Sequence, residues 1–530
     1  MSKPVRLTGQ IASEGYAEGP IWFASPAAAI AYRRKPDAEA ERAALAAAIA
    51  AGAAETAEMV AAAEGDAAEI LEFQLAMLED DTFATAANDA IDSGAGADRA
   101  WQQVLDAEIA GYAASDNEYF RARSADLADI RNRVLASLRG ETRTEIPAGT
   151  IYLAEDITPS AFLGHDWTGG GLALTAGSAT GHVAMLARQR GIPAIVGLGE
   201  ARIASGLPAL LDGGTGALIV SPDAATLAAF AASRRRFAEA RSEAAQFLPR
   251  PAVTADGTPI AVHVNISVPA DTDDIPIAHV DGVGLMRTEF LFAHGLPDEE
   301  TQYLAYRAVL EWAGDKPVII RTADAGGDKP VPGYTIEESN PFLGTRGIRL
   351  SLARPEIFSV QIRALLRAAA HGNLKVMLPM VSVPEEIDQA AALFAREAGA
   401  LAAAKTSHRL PDLGIMVEVP SVALTPHRFA KAAFFSIGSN DLAQYTLAAS
   451  RDSARLASIA RSDDPAVLAL IERTAAFGAA RGIPVSLCGD AASDPALVPH
   501  LLRAGMRSLS VAASRIGVVK AAIAATSLGS

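Results

Sequence analysis

Beyond residue 260 the chain repeats one unit eight times, a short apolar run followed by a helical stretch. The runs are Ala261–Ile266, Val283–Met286, Val318–Ile320, Lys375–Leu378, Gly414–Val417, Ala433–Ile437, Pro484–Leu487 and Ser508–Val511. Runs of this length bounded by Gly, Pro or Asp read as strands. Eight β-then-α units in about 270 residues have the count and length of a closed (β/α)8 barrel. A doubly wound open sheet is the alternative that the pattern leaves standing.

Ahead of the repeat the texture differs. Residues 1 to about 22 are mixed, with Gly9, Gly15, Gly19 and Pro20 punctuating short apolar runs. From about 27 to 145 the pattern is helical: Phe120, Leu127, Ile130, Val134 and Leu138 form one apolar stripe, and Glu69–Leu78 is a second amphipathic helix. Thr150–Ala154, Gly171–Leu174, Ala194–Val196 and Ala217–Val220 then read as strands of a compact α/β domain. Residues 223 to 248 are helical and mixed in charge, and Pro249-Arg250-Pro251 closes them, which predicts a linker helix with a hinge at its end.

Composition excludes several classes. A net charge of −16 argues against nucleic acid or an anionic membrane as main partner, yet a local arginine cluster still suits a small anion. The alanine-rich stretch from Ala43 to Ala63 is broken by Gly52, Glu55 and Glu58, so it is expected as a helix outside the membrane. The first residues lack an apolar run, so export is not expected. The single cysteine, Cys488, cannot make an internal disulfide and fits a cytoplasmic protein.

Reactive residues gather where the predicted strands end. Met286 leads into Arg287-Thr-Glu289, Ile320 into Arg321-Thr-Ala-Asp324, Val417 into Glu418, Ile437 into Gly-Ser-Asn440-Asp441, and Leu487 into Cys488-Gly-Asp490. In a parallel barrel these points share the C-terminal mouth, where barrel enzymes keep their active sites. Arginine is a planar, permanently charged fork matched to carboxylate and phosphate. Arg287, Arg321, Arg346 and Arg451 are therefore candidates to clamp a small dianion. Glu418 and Asp441 on adjacent strands suit Mg²⁺, which takes one or two carboxylates and completes its shell with substrate and water. A thiol at that mouth suits a proton donor, although a lone cysteine is more often a small buried apolar residue.

A further candidate lies outside the barrel. In Thr175-Ala-Gly-Ser-Ala-Thr-Gly-His182-Val-Ala-Met-Leu-Ala-Arg188 a small-residue loop delivers a histidine to a helix start. Free backbone N–H groups there favour an anion, which suits an imidazole that receives a phosphoryl group. A lone histidine is more often a cap or a core residue. The arginine- and carboxylate-rich strand ends tip the balance, because an anion site of that kind needs an acceptor.

These segments resemble enzyme I of the bacterial phosphotransferase system, the phosphoenolpyruvate–protein phosphotransferase family. The likeness rests on Gly177–Arg188 with Ile192–Gly197, Gly284–Phe292, Asn340–Arg349, Phe435–Thr446 and Leu487–Asp490, in matching order from about residue 8 to 520. The resemblance implies a multidomain chain. Residues 1–26 with 146–222 correspond to an α/β phosphohistidine domain, 27–145 to an inserted helical domain that docks the carrier HPr, 223–250 to a linker helix, and 251–530 to a phosphoenolpyruvate-binding barrel that also forms a homodimer. It implies that His182 takes the phosphoryl group of phosphoenolpyruvate and passes it to a histidine of HPr, supplied in trans. Arg287, Arg321, Arg346, Asn440, Asp441 and Arg451 correspond to substrate-binding positions, Glu418 and Asp441 to Mg²⁺ ligands, and Cys488 to the acid that protonates the enolate. Since His182 lies outside the barrel segment, the first step of sugar uptake would run on a domain that swings between two docked states.

The chain departs from the family pattern in places. Gly181 replaces the usual serine before the histidine, Asp490 a usual glutamate, and Gln74 a histidine frequent near the carrier interface; residues 453–464 follow no family wording, and the chain ends soon after the eighth strand. Two other readings exist. A relative of phosphoenolpyruvate synthase or pyruvate phosphate dikinase needs an ATP-binding domain, for which the first 145 residues are too short and too helical. A phosphorylation-state sensor without turnover is disfavoured by the intact set of reactive residues.

Overall fold

The eight runs beyond residue 260 are strands of one closed, fully parallel barrel. The computed structural model describes the chain except residues 1–3, 24–30, 63–65, 114–117, 142–145, 178–181, 202, 274, 293–294, 328–330, 337, 451–455, 457–458, 460 and 530. It divides into two compact units, Met1–Ala238 and Glu239–Ser530.

The first unit is built on an eight-stranded sheet. Its strands are β1 (Val5–Thr8), β2 (Gln10–Ser13), β3 (Tyr16–Trp22), β4 (Ile151–Ala154), β5 (Gly171–Leu174), β6 (Ala194–Val196), β7 (Pro208–Asp212) and β8 (Ala217–Val220), in the order β1-β8-β7-β3-β4-β5-β6-β2. The four strands expected from sequence are present. The N-terminal residues and Pro208–Asp212 supply four more, and β3 joins the parallel run β4–β6 to the antiparallel β7 and β8. Between β3 and β4 the described residues form five helices: α1 (Ala38–Ala62), α2 (Asp66–Glu79), α3 (Asp81–Asp92), α4 (Ala97–Ala113) and α5 (Glu118–Arg139). Leu127, Ile130 and Val134 of the predicted stripe are wholly buried against Leu45, Trp101 and Leu105. Among the described residues α1 alone is long and apolar enough to cross a membrane by length and composition. It packs instead against its helical neighbours, and its buried Glu41 accepts hydrogen bonds from the Tyr32 hydroxyl and the Lys35 and Ala97 backbone N–H groups.

After β4 come α6 (Pro159–Leu163), with Thr158 as its N-cap, and α7 (His182–Gln189), which packs on the sheet through Val183, Ala184, Leu186 and Ala187. The predicted linker is α8 (Ala224–Phe247). Its far end differs from the expected free hinge. Lys520 Nζ donates to the carbonyls of Leu248 and Arg250, each at 2.8 Å, and of His279 at 2.7 Å, and Ala252 is buried in the barrel core. A pivot at Pro249-Arg250-Pro251 would have to break that three-carbonyl clamp.

The barrel strands are β9 (Ala261–Ile266), β10 (Val283–Met286), β11 (Pro317–Arg321), β12 (Asn373–Leu378), β13 (Asp412–Val417), β14 (Phe435–Gly438), β15 (Val485–Cys488) and β16 (Ser508–Ala512), closed by the pairing of β16 with β9. Alternation sorts their side chains. Val262, Val264, Val318, Ile320, Val376, Ile415, Val417, Ile437, Leu487 and Leu509 pack outward against the helices. The intervening positions face inward, and there the barrel is two-sided. Leu285, Ile319, Met377 and Met416 make an apolar cluster on β10–β13. Strands β14–β16 and β9 carry Ser436, Ser486, Ser508, Ser510, His263 and Asn265 instead, with Ser508 bonded to His263 at 3.2 Å and Ser510 to Asn265 at 2.6 Å.

Candidate active site

Strands β11, β13, β14 and β15 lead at the C-terminal mouth into polar or thiol groups. Arg321 is the last residue of β11 and Cys488 the last of β15; Glu418 directly follows β13, and Asn440 and Asp441 open the helix Ser439–Leu447 after β14. Arg287 follows β10 and is exposed, whereas Arg321, Arg346, Glu418 and Cys488 are buried.

Arg346 comes from the loop before the helix Ile348–Ala353, and all five of its N–H donors are placed. Nε and Nη2 donate to the two carboxylate oxygens of Asp324, both at 3.0 Å. Nη1 and Nη2 donate to Asp441 at 3.2 and 3.3 Å, and Nη1 also reaches the Tyr445 hydroxyl at 3.3 Å. Burial alone would lower the Arg346 pKa; Asp324, Asp441 and Glu418 outweigh it and hold the pKa above the ordinary range. The loop can come this close because the next residue is Gly347 at φ 60°, where a Cβ would lie 2.9 Å from Met380 Cβ and 3.3 Å from Asp324 Oδ1. Direct contact between Arg346 and a substrate phosphate, expected from sequence, therefore requires a present partner to release a donor.

Arg321 pairs with Glu289 at 2.9 Å and with Asp324 at 3.2 Å, and among the described residues its buried Nε–H finds no partner. An unmet buried donor costs roughly 1–3 kcal/mol, a cost that a ligand oxygen removes. A buried network supports the strand end: Thr288 Oγ1 donates to the Arg321 carbonyl, and Gln361 bonds the Ala323 N–H, Thr288 and Tyr306.

Glu418 is 1% exposed, and its Oε1 accepts the Met380 N–H at 2.6 Å. Burial and the neighbouring Asp441 and Asp324 push its carboxyl up to about 8, with Arg321 and Arg346 offsetting only part of that rise. Charge counting agrees: Arg287, Arg321 and Arg346 stand with Glu289, Asp324, Glu418 and Asp441, one negative charge in excess when all are ionised. A divalent cation at this mouth would offset the carboxylates and leave the arginines to an anion. Among the described residues no three His, Cys, Asp or Glu side chains gather closely enough to hold an ion alone. Glu418 and Asp441 thus fit the two-carboxylate position that substrate and water complete for Mg²⁺.

Cys488 sits under this layer. Its Sγ accepts from Ser436 Oγ and donates to the Ile437 carbonyl, each at 3.5 Å. Burial raises the thiol pKa, with Ser436 and Arg321 offsetting part of the rise, so the group keeps its proton at neutral pH. Beside it Asp490, standing where a glutamate is usual, holds Asn440 by two hydrogen bonds. Its N–H donates to Asn440 Oδ1 at 3.0 Å, while Asn440 Nδ2 donates to its carboxylate at 3.1 Å.

Two predicted residues cannot be placed: Arg451 and Gly181 lie outside the described residues. His182 is the first residue of α7, the helix start expected for it, and belongs to the first unit. Gln74 of α2 is fully buried and donates to Asp129 of α5 at 3.2 Å. Glu289 and Asp324 were expected at the mouth but without a role, and Tyr445 was not expected there. The signal for Asp324 was present, an acid three residues beyond an arginine at a strand end; that for Tyr445 was its i+4 spacing from Asp441.

A closed parallel barrel with arginines, carboxylates and a protonated thiol at one mouth defines a phosphoenolpyruvate-utilising enzyme. Three family models of that class match: the PEP-binding domain over residues 241–528, the N-terminal domain over 8–123 and the mobile domain over 146–216. Phosphoenolpyruvate-protein phosphotransferase of Geobacillus stearothermophilus is 40% identical over 422 residues, covering 77% of this chain and 72% of that protein. The Haloferax volcanii protein of the same name is 39% identical over 486 residues, 89% of this chain and 84% of its own length. That of Bacillus subtilis is 36% identical, covering 85% and 81%. The chain belongs to the phosphoenolpyruvate–protein phosphotransferase family.

Proposed function

We propose that the chain transfers the phosphoryl group of phosphoenolpyruvate to His182 and then to a histidine of an HPr-type carrier supplied in trans, releasing pyruvate. The observation that carries this reading is the convergence of Arg321, Arg346, Glu418, Asp441 and Cys488 at one barrel mouth. Phosphoryl transfer asks for in-line positioning and charge neutralisation, and the arginines, together with a cation at the carboxylates, would serve the second. Arg287, Arg321 and Asn440 would bind the carboxylate and phosphate, with Arg451 joining them. Glu418 and Asp441 would hold Mg²⁺, which when bound neutralises charge developing on the phosphoryl and enolate oxygens. Neutral His182 attacks phosphorus through Nε2. The N–P bond forms, the P–O bond to the enol carbon breaks, and its electron pair leaves with the enolate. Cys488 then gives its thiol proton to the methylene carbon, completing pyruvate. That step needs a reduced thiol, which suits the cytoplasm.

His182 lies in one unit and the arginines in the other, so the two must meet for the first transfer and part for the second. We assign residues 1–26 with 146–222 to the phosphohistidine domain, 27–145 to carrier docking, 223–250 to the linker and 251–530 to substrate binding and homodimerisation.

Labelled phosphoenolpyruvate with Mg²⁺ and no ATP is expected to leave acid-labile, base-stable phosphate on the protein, detected after gel filtration. Unlabelled protein would overturn the proposal. Cys488→Ala is expected to slow steady-state pyruvate formation by roughly 10²–10⁴-fold, the range for losing a positioned acid. Pyruvate formation at the parent's rate would remove Cys488 from the mechanism.

A further inference from the structure

Arg346 is caught between two carboxylates that it does not hold equally. Asp324 receives Nε and Nη2 at 3.0 Å each, is wholly buried, and is shared with Arg321 at 3.2 Å. Asp441 receives Nη1 and Nη2 at the longer 3.2 and 3.3 Å and keeps slight exposure. A guanidinium presents two edges to carboxylates, and here one edge is locked while the other is loosely engaged. The loosely held acid is also the one that fits the cation position with Glu418. A carboxylate cannot give both oxygens to an arginine and also ligate a cation without loss, so the two demands on Asp441 compete.

We propose that Asp324 is a positioning residue whose hold on Arg346 keeps Asp441 available to the cation. When the cation draws Asp441 away, the Nη1 and Nη2 donors of Arg346 are released for an oxyanion of the substrate. Cation and anion then favour each other's binding through one arginine, a coupling between two sites with a named exchange of partners. The same exchange accounts for an arginine that occupies a substrate-binding position while every one of its donors is committed. The inference rests on the proposed cation position at Glu418 and Asp441.

The test is binding of Mn²⁺ in the absence of substrate, read by electron paramagnetic resonance, with thermal melts to show that each variant is folded. Glu418→Gln is expected to abolish binding, which checks the cation position by itself. Asp324→Asn removes the competing charge at nearly constant volume and leaves Arg346 to Asp441. Mn²⁺ affinity is expected to fall about 10-fold, within the usual range of coupling between sites. In an Arg346→Lys background, where one ammonium cannot span both acids, Mn²⁺ is expected to bind at least as tightly as to the parent, and Asp324→Asn is expected to cost little. Folded Asp324→Asn with parental affinity would overturn the inference. An equal loss in both backgrounds would do so too, because Asp324 would then be a ligand and not a positioning residue. Should Asp324→Asn fail to fold, Arg346→Lys alone decides: weaker Mn²⁺ binding than the parent contradicts competition for Asp441. Loss of Mn²⁺ binding in the parent would remove the cation position itself, leaving phosphorylation of His182 to its own assay.

Discussion

Arg346→Met protein is expected to lose about 3–5 kcal/mol of barrel stability and to melt roughly 10 °C below the parent. The substitution removes five hydrogen bonds at once and leaves Asp324 and Asp441 facing each other, with Glu418 beside them. Asp324 then keeps Arg321, at 3.2 Å, and Asp441 loses the arginine it shared, so the carboxylates must take up a proton or draw in water, and either costs more than the lost contacts. Methionine fills much of the volume, so a cavity contributes little and the charge imbalance dominates. The proper control is Arg363→Met on the outer helix Pro355–Ala368. Arg363 also pairs with two acids, Glu299 at 2.6 Å and Glu397 at 3.2 Å, but its side chain is 30% exposed. Solvent screens that network, and its loss is expected to cost no more than about 1 kcal/mol. Calorimetry that follows the barrel transition separates the two cases. Equal melting shifts for both variants would show that the buried cluster contributes no more than a surface ion pair.

The contrast between these arginines also shows what a sequence conveys. A short apolar run bounded by turn residues is a local signal, so all eight barrel strands were legible, and polar groups that follow them fell at the mouth. Partnership is not local. Arg346 meets acids 22 and 95 residues away, and nothing near it in the chain says that all its donors are committed. The strands of the first unit missed by sequence have a different cause. Strand β3 runs Tyr-Ala-Glu-Gly-Pro-Ile-Trp, and Gly-Pro is ordinarily a turn signal. It survives in a strand because Gly19 lies so close to the Gly149 carbonyl that a Cβ would stand 2.0 Å from the oxygen, while Pro20 pairs with Pro208. The contact that any hinge after α8 must contend with is equally non-local: Lys520, some 270 residues on, bonds the Leu248 and Arg250 carbonyls.

His182→Ala protein is expected to carry no phosphoryl label from phosphoenolpyruvate, a complete loss, while its barrel still binds Mn²⁺. Three other histidines are already engaged elsewhere. Burial lowers the pKa of His263 and closes it inside the barrel against Ser508; His371 is bonded to Tyr303, and His408 Nδ1 to the Thr406 carbonyl. His182 differs in its place at the start of α7, where backbone N–H groups not used within the helix favour an incoming anion. Direction of transfer makes the assignment sharper. In the proposed scheme the carrier half-reaction uses His182 but none of the barrel groups, so a labelled phosphocarrier run in reverse is expected to phosphorylate both the parent and Cys488→Ala protein. It should leave His182→Ala unlabelled. In the forward direction Cys488→Ala is slow and His182→Ala is dead. Label on His182→Ala protein from either donor would place the relay on another side chain, whereas failure of Cys488→Ala in the reverse assay would show that its defect reaches beyond the barrel.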